Sequence, residues 1–232
     1  MIQLNDKVVL VTGANGGLGT TMTETFLAAG ATVAGVARSI QQDAFPSARF
    51  LPMPADLTQG ESTRELVAKI IGRLEKIDVL VHVLGGYAGG EPIDAMDDAT
   101  WDKMMSLNVR SAFNVLRAVL PSMRRAKGGR IIAIGARSAV EPAAGLSAYC
   151  ASKAALVSLI RTAALEGKEY GVTANVILPG IMDTPANRSS FPSADRNRWV
   201  SPSNVASLAL WLASDDASQV NGDTIPMYGA GL

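Results

Sequence analysis

A chain of 232 residues with 48% hydrophobic and only 18% charged side chains carries enough apolar matter for a large core, which excludes a disordered polymer and fits one α/β domain over residues 1–232. The 21 basic residues balance the 21 acidic ones and no block of like charge stands out, so neither nucleic acid nor a membrane surface is an expected partner. One cysteine, Cys150, and one histidine, His82, exclude an internal disulfide and leave too few soft ligands for zinc, so no metal is expected. The first seven residues lack an apolar signal region, and no stretch reaches the roughly 18 apolar residues of a membrane span; the expectation is a cytoplasmic protein.

Residues 7–12, Lys-Val-Val-Leu-Val-Thr, form a β-branched apolar run that ends in glycines, the pattern of a strand buried on both faces of a parallel sheet. A helix is expected over 18–29, then strands over 32–37 and 49–53, a helix over 60–74 and a strand over 78–84. A long helix follows over 100–126, a strand over 130–134, a helix over 147–170, a strand over 172–178, a helix over 202–213 and a last strand over 223–227. Such alternation implies parallel crossovers, hence a doubly wound, Rossmann-type sheet of about seven strands with helices on both faces. Residues 181–200, rich in Pro, Ser, Asn and Arg, show no clear period and read either as a lid over a site or as a surface loop.

The first strand runs into Thr12-Gly13-Ala14-Asn15-Gly16-Gly17-Leu18-Gly19. Glycines at 13, 17 and 19 let the backbone turn sharply, approach a diphosphate and pack helix on sheet, with the helix N-terminus facing the phosphates. Gly13, Asn15, Gly17, Leu18 and Gly19 are therefore candidate cofactor contacts, against the alternative of a ligand-free glycine turn. The second strand ends Val36-Ala37-Arg38-Ser39, with no acid to bind ribose hydroxyls and one guanidinium able to grip a 2′-phosphate. That favours NADP(H), with NAD(H) the alternative and Arg38 then a solvated charge. Asp56, in Ala55-Asp56-Leu57, is placed to meet the adenine amino group or to cap the next helix.

Tyr149 and Lys153 stand four apart on a predicted helix and project from nearly one face. A phenol with a pKa near ~10 exchanges protons poorly at neutral pH, whereas an adjacent ammonium favours the phenolate. Alone, such a pair is more often a solvated helix face.

The set as a whole, Thr-Gly-x-x-x-Gly-x-Gly after strand one, an Asn on the long helix, Tyr-x-x-x-Lys and a late Pro-Gly, resembles the short-chain dehydrogenase/reductase family over nearly the full chain. The resemblance implies Tyr149 as proton donor, Lys153 as its partner and as a ligand of the nicotinamide ribose, and Asn108 holding a water in a proton relay. It also implies Pro179, Gly180 and Thr184 at the nicotinamide carboxamide, and cofactor contacts at Gly85 and Gly86. Two features depart from the family pattern. Its catalytic serine, thirteen residues before the tyrosine, is Ala136 here, and Ser138 lies too far along a straight strand to replace it. The usual Asn-Asn-Ala-Gly is His82-Val83-Leu84-Gly85, with His82 read as packed at the strand end.

Both departures resemble dihydropteridine reductase, as do Gly85 to Gly90 and the segment from Leu178-Pro179 through Asp183-Thr184-Pro185-Ala186-Asn187-Arg188 to Trp199. The expected substrate is a small carbonyl or conjugated molecule lying beside Ala136, with Tyr87 and Trp199 as walls. A pterin reductase and a catalytically silent NADP-binding sensor are the alternatives. The resemblance further implies a homodimer or homotetramer paired through the helices 100–126 and 147–170.

Overall fold

Strand β1 (Val8–Thr12) is buried at all five positions, as a β-branched run without polar alternation must be when helices cover both faces. In the computed structural model, which describes residues 2–230, it lies near the middle of a seven-stranded sheet with α1 (Gly17–Ala28), β2 (Thr32–Ala37), β3 (Phe50–Pro54), α2 (Gly60–Leu74) and β4 (Val79–His82) following in sequence. Then come α3 (Asp98–Met105), α4 (Ser111–Ala126), β5 (Gly129–Ile134), α5 (Ser147–Gly167), β6 (Val172–Pro179), α6 (Pro185–Ser190), α7 (Pro202–Leu212) and β7 (Thr224–Met227). The strand order is β3-β2-β1-β4-β5-β6-β7, and every pairing is parallel. The chain leaves β1 toward one edge through β2 and β3, then returns to the other side of β1 at β4. The carboxyl ends of β1 and β4 therefore flank the point where the winding reverses, the place in such sheets where a crevice opens.

Alternate strand residues feed two cores. Val9, Val11, Val33, Val79 and Val81 pack against α1 and α7, while Leu10, Ala34, Leu80, Ile131 and Ala133 pack against α2, α4 and α5. Burying Phe26, Met22, Ile70, Met123 and Ile160 completely contributes on the order of 1.5–3 kcal/mol each.

Three expectations are corrected. β4 stops at His82 rather than running to 84, because the Val83 and Leu84 amides donate to Thr12 Oγ1 at 3.1 and 3.2 Å and so leave the ladder. The helix expected over 100–126 begins earlier, at Asp98, where Asp97 accepts from the Thr100 amide at 2.6 Å, and it contains a π turn over Ser106–Arg110 that joins α3 to α4. The aperiodic 181–200 segment contains α6, begun by Thr184, whose hydroxyl accepts from the Asn187 amide at 3.3 Å, and by Pro185 at a first-turn position. Asp183 and Arg188 clamp that short helix through two bonds of 2.6 and 2.8 Å, and a bridge between Met182 and Val200 ties the two ends of the segment together.

Candidate functional site

A cavity of about 1140 Å³ opens at the carboxyl ends of the strands, over the reversal between β1 and β4. Every residue expected to meet cofactor or substrate lines it, from Arg38 and Asp56 at one end to Tyr149, Lys153 and Trp199 at the other. Asn108 is the exception among the expected site residues: it is fully buried, behind the wall.

The glycine turn after β1 is built for close approach. Gly13 takes φ +67°, and a Cβ there would stand 3.1 Å from the Leu84 backbone; a Cβ on Gly19 would lie 1.9 Å from the Gly13 carbonyl oxygen, so α1 packs where only glycine fits. No side chain caps α1, whose N-cap is Gly16, and the first-turn residues line the cavity. Uncapped amides at a helix N-terminus suit a diphosphate, and a cavity that runs from the glycine turn to Tyr149 has room for a dinucleotide. Asn15 fixes this turn to the end of β2 by donating to the Ser39 carbonyl at 2.6 Å, which brings Arg38 beside it. Asp56 does not cap α2, whose N-cap is Gln59; its Oδ1 accepts from the Thr58 amide and hydroxyl at 2.9 and 2.7 Å, a turn that holds the carboxylate at the cavity edge.

At the other end, α5 presents Tyr149 and Lys153. Lys153 is buried, donates to the Ile134 carbonyl at 3.0 Å and has its pKa lowered to about 8 by burial. Burial raises the Tyr149 phenol to about 12, with neighbouring Tyr87 and Cys150 adding to the rise. Burial thus makes this phenol hold its proton firmly. The Asn108 side chain accepts from the Gly86 amide at 2.8 Å, donates to the Gly86 carbonyl at 3.1 Å and donates to Ser152 Oγ at 2.9 Å. Ser152 in turn donates to the Tyr149 carbonyl at 2.8 Å. A Cβ on Gly85 would come within 2.7 Å of Asn108 Oδ1 and 3.1 Å of Lys153 Nζ, so both polar groups press on that bare backbone. Asn108 thus sits in a π turn, as groups at functional sites often do, and clamps the loop after β4.

His82 is packed at the strand end, as expected, and fully buried. Thr12 Oγ1 already accepts from two amides, so its proton points to His82 Nδ1 at 3.0 Å and the imidazole carries its own proton on Nε2. Burial first, and Lys153 second, press its pKa down to about 3, which keeps it neutral.

Ala136 is buried on the cavity wall with extended backbone, and a 3₁₀ turn over Arg137–Ala139 follows at once. The straight strand assumed for Ser138 is therefore bent, and Ser138 lines the cavity too. Sequence reading missed Ser152, Arg137, Arg198, Phe191 and Tyr228. Ser152 had a signal, since it shares the buried face of α5 with Ala148 and Leu156. The others line the cavity only because the chain folds back: the Arg137 guanidinium stands 4.8 Å over the Tyr228 ring and its Nε donates to Glu141 at 2.6 Å.

A doubly wound parallel sheet with a glycine turn at its reversal point defines a dinucleotide-binding fold of the Rossmann type. The sequence pattern of the short chain dehydrogenases matches residues 7–195, and the chain belongs to this family of nicotinamide-dependent oxidoreductases. It is 31% identical to 2,3-dihydro-2,3-dihydroxybenzoate dehydrogenase of Escherichia coli (strain K12), over 98% of each chain. It is 30% identical to the 3-oxoacyl-[acyl-carrier-protein] reductase FabG of Thermotoga maritima, again over 98% of each. Among solved structures, levodione reductase superposes with a TM-score of 0.90 at 27% identity, covering 99% of this chain and 98% of that one. Among the described residues no helix is long and apolar enough to cross a membrane.

Proposed function

We propose that this chain reduces a small carbonyl or conjugated compound with NADPH, and that Tyr149 delivers the proton. The observation that carries the reading is that Tyr149 and Lys153 line the same cavity as the glycine turn and Arg38. A bound reduced nicotinamide supplies the hydride. As the carbonyl carbon gains that hydride, the Tyr149 O–H bond breaks, its proton passes to the carbonyl oxygen, and an alcohol leaves a tyrosinate behind. Lys153 stabilises that tyrosinate by charge, and its Ile134 bond fixes where the ammonium stands. Asn108 and Ser152 hold the loop after β4 against α5, which positions the reacting groups.

At the other end, Gly13, Asn15, Gly17, Leu18, Gly19, Asp56 and Leu57 hold the nucleotide, and Arg38 takes the 2′-phosphate; no salt bridge of the described residues engages its guanidinium. Gly85, Gly86, Pro179, Gly180 and Thr184 enclose the nicotinamide, and residues 181–200 cover the substrate. A second copy of the chain pairs through α4 and α5, where Phe113 and Leu165 stand exposed. A second reading, a quinonoid dihydropterin as substrate, is favoured by Ala136, since so electrophilic a ring needs less help from a serine hydroxyl.

The test is Tyr149→Phe. NADPH binding, followed by nicotinamide fluorescence, should be retained, while turnover of ketones, quinones and quinonoid dihydropterin falls by at least about 100-fold. Undiminished turnover refutes the reading. Tight NADPH binding by the unaltered protein with no turnover of any of these favours the silent sensor.

A further inference from the structure

The site lacks the hydroxyl that would stand at position 136, yet a second phenol faces the one at position 149. Tyr87 lines the same cavity, and its ring meets Tyr149 edge to face, with centroids 5.0 Å apart and planes 73° apart. Tyr87 is 60% exposed, yet the loop that carries it is pinned on both sides. On one side the Gly86 amide and carbonyl are both held by Asn108; on the other the Gly90 amide donates to the Gly145 carbonyl at 2.8 Å. Gly89 lies so close to Leu146 that a Cβ there would approach its Cδ2 to 2.3 Å. A large aromatic held open to water on a clamped glycine loop, at the mouth of a polar site, is not placed there by core packing. Among the described residues no hydrogen bond engages its hydroxyl, which leaves that donor for a ligand.

We propose that Tyr87 is a second catalytic phenol, whose hydroxyl donates to the substrate oxygen the hydrogen bond that the residue at position 136 does not supply. This rests on the reduction proposed above. Tyr87 keeps its proton throughout: it polarises the carbonyl and steadies the negative charge that grows on oxygen, while the proton transferred is that of Tyr149. A phenol is a more acidic donor than an aliphatic hydroxyl, so it suits an oxygen gaining charge. The two phenols also feel each other, since Tyr87 adds to the elevation of the Tyr149 pKa that burial chiefly causes.

The experiment compares Tyr87→Phe, Ala136→Ser, their double variant and Tyr149→Phe, using isatin, a flat aromatic ketone, with NADPH. Tyr87→Phe keeps the ring contact and removes only the hydroxyl. Its kcat should fall about 10- to 100-fold with KM for NADPH unchanged, and the double variant should regain most of that loss. In cofactor-free protein, phenolate absorbance should place the Tyr149 titration lower in Tyr87→Phe than in the unaltered chain. A Tyr87→Phe kcat within about twofold of the unaltered protein overturns the inference, because a lost charge-stabilising donor costs far more. So does a change confined to KM for isatin, which would make Tyr87 a wall. An inactive Tyr149→Phe beside a fully active Tyr87→Phe sinks this inference alone, whereas a fully active Tyr149→Phe sinks the reduction mechanism on which it rests.

Discussion

Replacing Gly85 by alanine adds a single methyl, and the structure specifies what that methyl meets. It would stand 2.7 Å from Asn108 Oδ1 and 3.1 Å from Lys153 Nζ, both inside contact distance, so one of them must move. Asn108 is fully buried and holds the Gly86 amide and carbonyl and Ser152, while Lys153 holds the Ile134 carbonyl. Overpacking costs about 1–3 kcal/mol, and a buried amide left one bond short costs about 1–3 kcal/mol more. The sum, about 2–6 kcal/mol, corresponds to a drop in Tm of roughly 4–24 °C for a chain of this size. Circular dichroism melts of the two proteins measure the drop, and fluorescence titration with NADPH then reports whether the displaced ammonium has weakened the nicotinamide end. A variant with unchanged Tm and unchanged turnover would refute the reasoning, because it would mean that neither Asn108 nor Lys153 is held where the structure places it.

Arg38→Asp removes the guanidinium from the end of β2 and substitutes a carboxylate that suits ribose hydroxyls. NADPH binding should weaken about 10- to 100-fold while NADH binding strengthens, as read by parallel fluorescence titrations; equal loss for both would deny Arg38 a part in phosphate selection. His82 makes stability depend on acid. Its folded pKa of about 3 lies below the ordinary 6.5, so between these values the unfolded chain binds a proton that the folded chain refuses. This contribution is complete above pH 6.5 and is lost as pH falls toward 3. At about 1.4 kcal/mol per pH unit, roughly 2 kcal/mol is gone by pH 5. Urea unfolding of His82→Asn should show a shallower decline over that range; matching slopes in the two proteins would mean that the imidazole is not held neutral.

The alternation of elements was legible because burial on both faces makes strand residues uniformly apolar: the bounds of β2 and α2 fell where the pattern placed them, at Thr32–Ala37 and Gly60–Leu74. The end of β4 was not legible, since Val83 and Leu84 are as apolar as the strand before them, and only the distant Thr12 hydroxyl draws their amides away. α6 hid inside a polar segment because six residues are too few to show a period, although Thr184 followed by Pro185 is a helix-start signal in itself. Of the site, the glycine turn and the Tyr149/Lys153 pair were readable as local spacings. The bend after Ala136, the Ser152 link and the approach of Tyr228 to Arg137 were not, because each depends on which remote segment arrives beside it.

The π turn between α3 and α4 resolves a mismatch of phase. Met104, Asn108 and Ala112 are all buried, at successive intervals of four residues. In a regular helix each such interval overshoots a full circle by about 40°, so three side chains spaced this way would fan out by about 80°. The wider turn absorbs that overshoot, which lets a methionine, an asparagine and an alanine share one line of sight into the protein. The polar member of the line, the one that grips Gly86, therefore occupies its position through chain length as much as through chemistry. Removing Leu107 or Val109 from the wide turn would let it close into a regular helix with its two halves keeping nearly their present faces, and Asn108 would lose the bulged backbone from which it reaches the loop.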